Sequence, residues 1–275
     1  MADVGVNTTN IIHLISGMWR SHELIFKMTK REVIGRYRGS VLGLLWSFFN
    51  PMLMLAIYTF VFSVVFKARW GVGGESRFEF ALILFAGLIV FNLFAECINR
   101  APSLIVGNIN YVKKVVFPLE ILPLVSMGVA LFHGFISFGV LVIFYILVSS
   151  TLPWTIIFTP LVIMPLLLMT LGISWFLASL GVFVRDVAQV ISMLTTVLMF
   201  VSPIFFPVTA LPEKYRVFIY INPLTFIIEQ TRSVVIWGQL PAWSGWCTAM
   251  VLGFGVAWIG LVWFQKTRKG FADVL

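Results

Sequence analysis

Apolar residues fall into six long runs, at 41–66, 79–99, 121–148, 156–183, 188–206 and 242–264, separated by segments where Lys, Arg, Asn and Pro gather. Each run comes close to or exceeds the ~20 residues an α-helix needs to cross a hydrocarbon core about 30 Å thick. The runs are continuous rather than striped every 3.6 residues, so the helices they predict are apolar on all sides and need lipid or other helices around them. The pattern therefore predicts an all-α integral membrane protein, a single domain over 1–275 with six transmembrane helices.

Between the last two runs, 202–241 follows neither pattern. Its apolar pieces are too short to span and are broken by Pro203, Pro207, Pro212, Pro223 and Pro241. Broken backbone at membrane depth survives only where protein or a water-filled cavity covers it, so the segment is expected to form re-entrant or interfacial helices that line and gate a pathway. Pro203, Phe205, Phe206, Pro207, Glu229 and Arg232 are its candidate residues. The alternative is an outer loop with interfacial aromatics.

Two polar segments look like docking surfaces. Residues 20–38 carry Lys27, Lys30, Arg31, Arg36 and Arg38 around a narrow stripe of Phe26, Val33 and Tyr37, with Leu24 and Met28 off it. This predicts an interfacial helix of imperfect amphipathicity. The loop 100–118 mixes apolar and basic positions; Pro102 can open a short helix and Pro118 can close a following one. It either meets a partner or lies on anionic lipid through Lys113 and Lys114.

Charge sets the orientation. Only 11% of residues are charged and 60% are hydrophobic, against roughly 25% charged in a soluble domain. Of the nineteen Lys and Arg, thirteen fall in segments that six crossings place with the N-terminal basic run, and the tail Lys266, Arg268 and Lys269 is among them. Positive charge holds such flanks in the cytoplasm, so both termini are expected there. Residues 1–19 lack the basic n-region and small-residue cleavage site of a signal peptide. The net charge of +8 is explained by topology, and no nucleic-acid partner is expected.

Catalytic signatures are scarce. The sequence contains neither GxxxxGK[ST] nor HExxH, and His13, His22 and His133 are too scattered for a metal or nucleophile constellation. No cofactor is expected in this chain. Glu96, the one carboxylate clearly inside a run, lies a turn from its helix end, where it can snorkel or meet Arg100 at i+4; His133 reads as a helix-to-helix hydrogen bonder. Cys97 and Cys247 fall near opposite faces, so they read as small core residues and not as a disulfide.

The blocks GRYRGSVLGLLWSFFNPMLMLAIYTFVF, YVKKVVFPLEILPL at 111–124, FVRDVAQV at 183–190, SPIFFP at 202–207 and NPLTFIIEQTR at 222–232 resemble the permease subunits of polysaccharide-exporting ABC transporters. These are the exporters of O-antigen, capsule and teichoic acid. The resemblance runs from residue 20 onward, with the blocks in the family's order. It implies an interface helix bearing Lys30, Arg31, Arg36 and Arg38, and a cytoplasmic coupling helix in the loop holding Arg100, Asn108, Asn110, Tyr111, Lys113 and Lys114. Periplasmic gate helices would follow, in a homodimer within the bacterial inner membrane. Two copies of a separate ATP-binding subunit, with ATP and Mg, would drive a lipid-linked polysaccharide, O-antigen first among the candidates, past surrounding membrane lipid.

Tyr58, Phe62 and Phe66 recur at i, i+4 and i+8, an aromatic stripe that either lines a sugar path or packs against neighbours. A drug- or lipid-exporting ABC permease is the nearest rival reading. A membrane transferase would need more than Asp186 with Glu120, and an ion-coupled transporter would need paired mid-span charges.

Overall fold

The computed structural model describes residues 20–65, 77–113, 117–149 and 151–275, and among them every regular element is helical. Helix α1 (His22–Tyr37) is followed by a 3₁₀ turn and α2 (Trp46–Tyr58), which passes into a π-helical stretch over Thr59–Val65. Then come α3 (Arg77–Arg100), the short α4 (Ile109–Val112), α5 (Ile121–Ser149), α6 (Thr159–Phe183) and α7 (Val187–Val201). Two short helices, α8 (Glu213–Ile221) and α9 (Pro223–Val235), precede α10 (Trp243–Thr267) and a final turn, α11 (Phe271–Val274).

Among the described residues, five segments are long and apolar enough to cross a membrane: Gly43–Phe62, Phe78–Ser103, Ile121–Ser149, Trp154–Phe183 and Trp243–Val274. The run at 188–206 behaves differently. Its helix stops at Val201 after 15 residues, about 22 Å at 1.5 Å per residue. Pro203 supplies the reason, since a proline disfavours helical backbone in the residue before it, and Ser202 is extended at ψ 149°.

Helix α3 is the axis of the bundle, its apolar positions buried from Phe80 to Ile98 against α5, α6 and α9. Beside it α6 and α10 run parallel at backbone contact. A Cβ on Gly172 would strike the Val256 carbonyl, and one on Gly260 would strike the backbone of Gly172. Small residues let membrane helices approach this closely, and the gain is dispersion and weak hydrogen bonding rather than hydrophobic burial. Trp246 Nε1 donates to the Leu161 carbonyl at 2.9 Å near one end of this pair, and the hydroxyls of Ser179 and Thr267 meet at 2.6 Å near the other.

One end of the bundle gathers α1, the 101–113 loop and the C-terminal turn around a second cluster that includes Met28, Ile105, Leu122, Trp175, Phe264 and Phe271. Helix α1 thus buries Met28 and Val33, whereas Phe26, expected on its apolar stripe, is 69% exposed. Cys97 is buried as expected, and Cys247 is not a core residue but exposed on α10; both are free thiols.

Candidate functional site

At the end that carries α1, the loop after α3 is folded back and bolted in place. Pro102 sits in a 3₁₀ turn over Ala101–Ser103, and Gly181 of α6 lies so close that a Cβ there would strike the Pro102 carbonyl. Asn108 Nδ2 donates to the Leu104 carbonyl at 2.8 Å, closing the next turn. Tyr111 stacks on Phe117 with ring centres 4.3 Å apart and accepts a hydrogen bond from Arg31 Nη2 at 2.8 Å. Arg100 pairs with Glu32 of α1. Helix α1 and the loop 101–113 are therefore one cross-braced unit, joined through Arg31 and Arg100. Asn110 and Lys113 are exposed on its surface, as are Lys30 and Arg38; Lys114 lies outside the described residues.

The C-terminus closes the same unit. Arg268 donates to Glu120 at 2.8 Å and to the Phe117 carbonyl at 3.1 Å, while Phe271 is fully buried against Phe264. Glu120, weighed in the sequence for transferase chemistry, is thus an ion-pair partner.

Glu96 does not meet Arg100. It accepts from Arg36 Nη1 at 2.7 Å and faces His133 Nδ1 at 3.0 Å, while Tyr37 lies 3.1 Å from His133 Nε2. Burial pushes the Tyr37 phenol above its usual range, only partly offset by Arg36, so at neutral pH it remains a donor. His133 Nδ1 also lies 3.1 Å from Arg36 Nη1, so Arg36, Tyr37, Glu96 and His133 form one polar cluster. The last turn of α1 is so tied to both α3 and α5, and His133 has the helix-bridging role expected of it.

The 202–241 segment is built around one guanidinium. Arg232 is 0% exposed. Its Nε donates to the Ile83 carbonyl at 3.0 Å, Nη1 to the Pro203 carbonyl at 2.6 Å and to Glu229 at 2.8 Å, and Nη2 to the Ile204 carbonyl at 3.0 Å. Non-helical backbone at 203–204 is thereby satisfied, as a water-poor interior requires. Asn222 caps α9 by accepting from the Leu224 amide at 3.0 Å and donates to Ser202 at 2.8 Å, so the end of α7 and the start of α9 are joined. Pro223 occupies the first turn of α9, where its missing N–H costs nothing.

The aromatic stripe divides. Phe62 stacks on Phe205 at 5.9 Å and packs on Phe80 at 5.7 Å, with Tyr58 6.5 Å away. Tyr58 also lines a polar cavity, and Phe66 lies outside the described residues. Phe206 and Pro207 are half-buried beyond Phe205.

Sequence reasoning missed Glu32 and the true partners of Glu96, because each pairing joins residues on separate elements, 37 positions apart for His133 and Glu96 and 60 for Arg36 and Glu96. The one basic residue of α9, set three positions after Glu229, was the available signal for Arg232.

A polytopic helical bundle with a braced polar unit at one end and an arginine-pinned broken segment within it is the architecture of a multi-pass membrane protein. Residues 23–236 match the ABC-2 type transporter family, and the chain belongs to it. Two proteins described as O-antigen export system permease protein RfbA are similar over nearly the whole length. That of Myxococcus xanthus is 24% identical over 96% of this chain and 99% of its own. One from Klebsiella pneumoniae is 27% identical over 92% and 95%. The polysialic acid transport protein KpsM of Escherichia coli is 26% identical over 79% of this chain and 82% of its own.

Proposed function

We propose that this chain is the membrane permease of an ATP-driven exporter that moves a lipid-linked polysaccharide, O-antigen first among the candidates, across the bacterial inner membrane. The observation that carries this reading is the end-to-end similarity to permeases described for O-antigen export, which covers 96% of this chain and 99% of the relative. The chain has no phosphate-binding loop, so a separate ATP-binding subunit supplies hydrolysis, with ATP and Mg bound there. Two copies of each form the exporter, which suits a chain whose α2 and α7 present exposed apolar faces such as Phe49, Leu53, Met193 and Val197.

In this reading both termini face the cytoplasm, and α7 with 202–206 makes a sixth crossing. Helices α8 and α9 then form the outer gate, and the braced unit of α1 and 100–118 receives the ATPase. A stroke applied to the loop reaches α6 through Pro102 and Gly181, and reaches α3 and α5 through Arg36, because close-packed elements move as rigid bodies.

Reversing Lys113 and Lys114 together to Glu should leave the permease inserted and the ATPase active while export falls at least tenfold. Surface glycan measured beside membrane-fraction abundance checks this. Undiminished export would remove the loop from coupling. Loss of surface O-antigen with intact drug resistance on disrupting the gene separates polysaccharide export from the drug-permease alternative.

A further inference from the structure

A cavity of about 240 Å³ opens between α1, α2, α3 and α5, and its lining is half polar. Arg36, Tyr37, Glu96 and His133 form its floor, and α2 contributes Asn50 and Tyr58, α3 Asn92. Asn92 is exposed in the middle of a helix whose membrane-length stretch is 83% buried. Neither the Asn50 nor the Asn92 carboxamide meets a hydrogen-bond partner among the described residues. Pro51, inside α2 and on the cavity wall, adds another polar site, since it has no N–H to offer the Ser47 carbonyl one turn back.

Primary amides at membrane depth do not stay without partners, because hydrocarbon offers none and each unmade bond costs kilocalories. Asn50 and Asn92 are both exposed, so the open cavity takes water or another polar occupant, and its volume far exceeds the roughly 10–15 Å³ that one water needs. Phosphate fits poorly. The lining cation Arg36 is already paired with Glu96 at 2.7 Å, and that carboxylate would repel an anion. Two amides, a carboxylate and a phenol instead match vicinal hydroxyls, which give and accept hydrogen bonds together, and the Tyr58 and Phe85 rings suit the apolar C–H faces of a pyranose.

We propose that this cavity is a saccharide subsite, in which Asn50, Asn92 and Glu96 bind the hydroxyls of one sugar unit of the exported lipid-linked glycan. The inference rests on the polysaccharide reading above and adds to it where a sugar is held. Because Arg36, Tyr37 and His133 share the floor, an occupied subsite bears directly on the last turn of α1, the helix braced to the coupling loop.

The test uses the purified permease with its ATP-binding subunit in lipid nanodiscs. The probes are a polyprenyl diphosphate carrying one N-acetylhexosamine, the same lipid without sugar, and the same lipid with a fully O-methylated sugar. The glycosylated lipid should bind about tenfold more tightly than the other two, and Asn92→Leu or Asn50→Leu should remove that preference while leaving sugar-free binding unchanged. If a variant does not fold, the methylated probe on the unaltered protein decides the matter alone. Equal binding of all three lipids overturns the subsite and leaves the export reading standing, with water as the occupant. Failure of every lipid to bind overturns both.

Discussion

Arg232→Ala should cost about 3–5 kcal/mol of stability, the loss typical when one partner of a buried charged network is removed. Three backbone carbonyls, those of Ile83, Pro203 and Ile204, lose a donor in an interior that has nothing to replace it, and Glu229 loses its cation. Arg232→Lys should recover part of the loss, since an ammonium keeps the charge but cannot reach carbonyls on two separate segments in fork geometry. Arg232→Met, which keeps the stem and none of the donors, should resemble alanine. Thermal unfolding of the detergent-solubilised protein gives the order directly. An alanine variant as stable as the parent would mean that the 203–204 backbone finds other partners. Gly87→Ala approaches the same defect from α3, because a Cβ there would lie 2.7 Å from Arg232 Nη2. Combined with Arg232→Ala it should cost less than the sum, since both act on one network.

Gly260→Leu should abolish recovery of folded protein. Its side chain would have to enter the backbone of Gly172, and neither helix can yield a flexible atom there. Overpacking commonly costs about 1–3 kcal/mol where side chains can shift, and here the α6 and α10 axes themselves must separate. That would also strip the Trp246–Leu161 and Ser179–Thr267 bonds. Gly255→Leu on the same helix is the matched control, as a Cβ there meets open space. Monodisperse protein after solubilisation should be lost in the first and kept in the second. Equal recovery of both would contradict the backbone contact.

Which features were readable from the chain follows from their range. Five of the six apolar runs became membrane-length helices because length and composition are local properties that hydropathy reads. The run 188–206 was overread at its end: Phe205 and Phe206 continue the apolar count, but Pro203 stops the helix and hydropathy does not register a backbone constraint. The i+4 spacing suggested Arg100 for Glu96, yet Arg36 and Glu32 divide those two charges between them, since a weak local pair yields to partners that packing brings into a less solvated place. Helix α1 lies where its charge predicts, and its stripe is only partly buried: Val33 is buried and Tyr37 half-buried, but Phe26 is exposed and Met28 takes its place, because so shallow a stripe leaves the choice to what α5 presents. Thr29 set beside Gly128 and Met28 against Leu122 and Val125 fix the choice. The Asn50–Asn92 cavity had no sequence signal, since it exists only where four elements meet.

The central claim is that this chain transports and a separate subunit hydrolyses. It is tested most directly in proteoliposomes holding the permease alone, the ATP-binding subunit alone, or both, by following the appearance of a lipid-linked glycan on the far leaflet with and without ATP. The account predicts movement only when both subunits and ATP are present, and no ATP hydrolysis by the permease alone. ATP hydrolysis by the isolated permease, or glycan movement at the full rate without nucleotide, would contradict it.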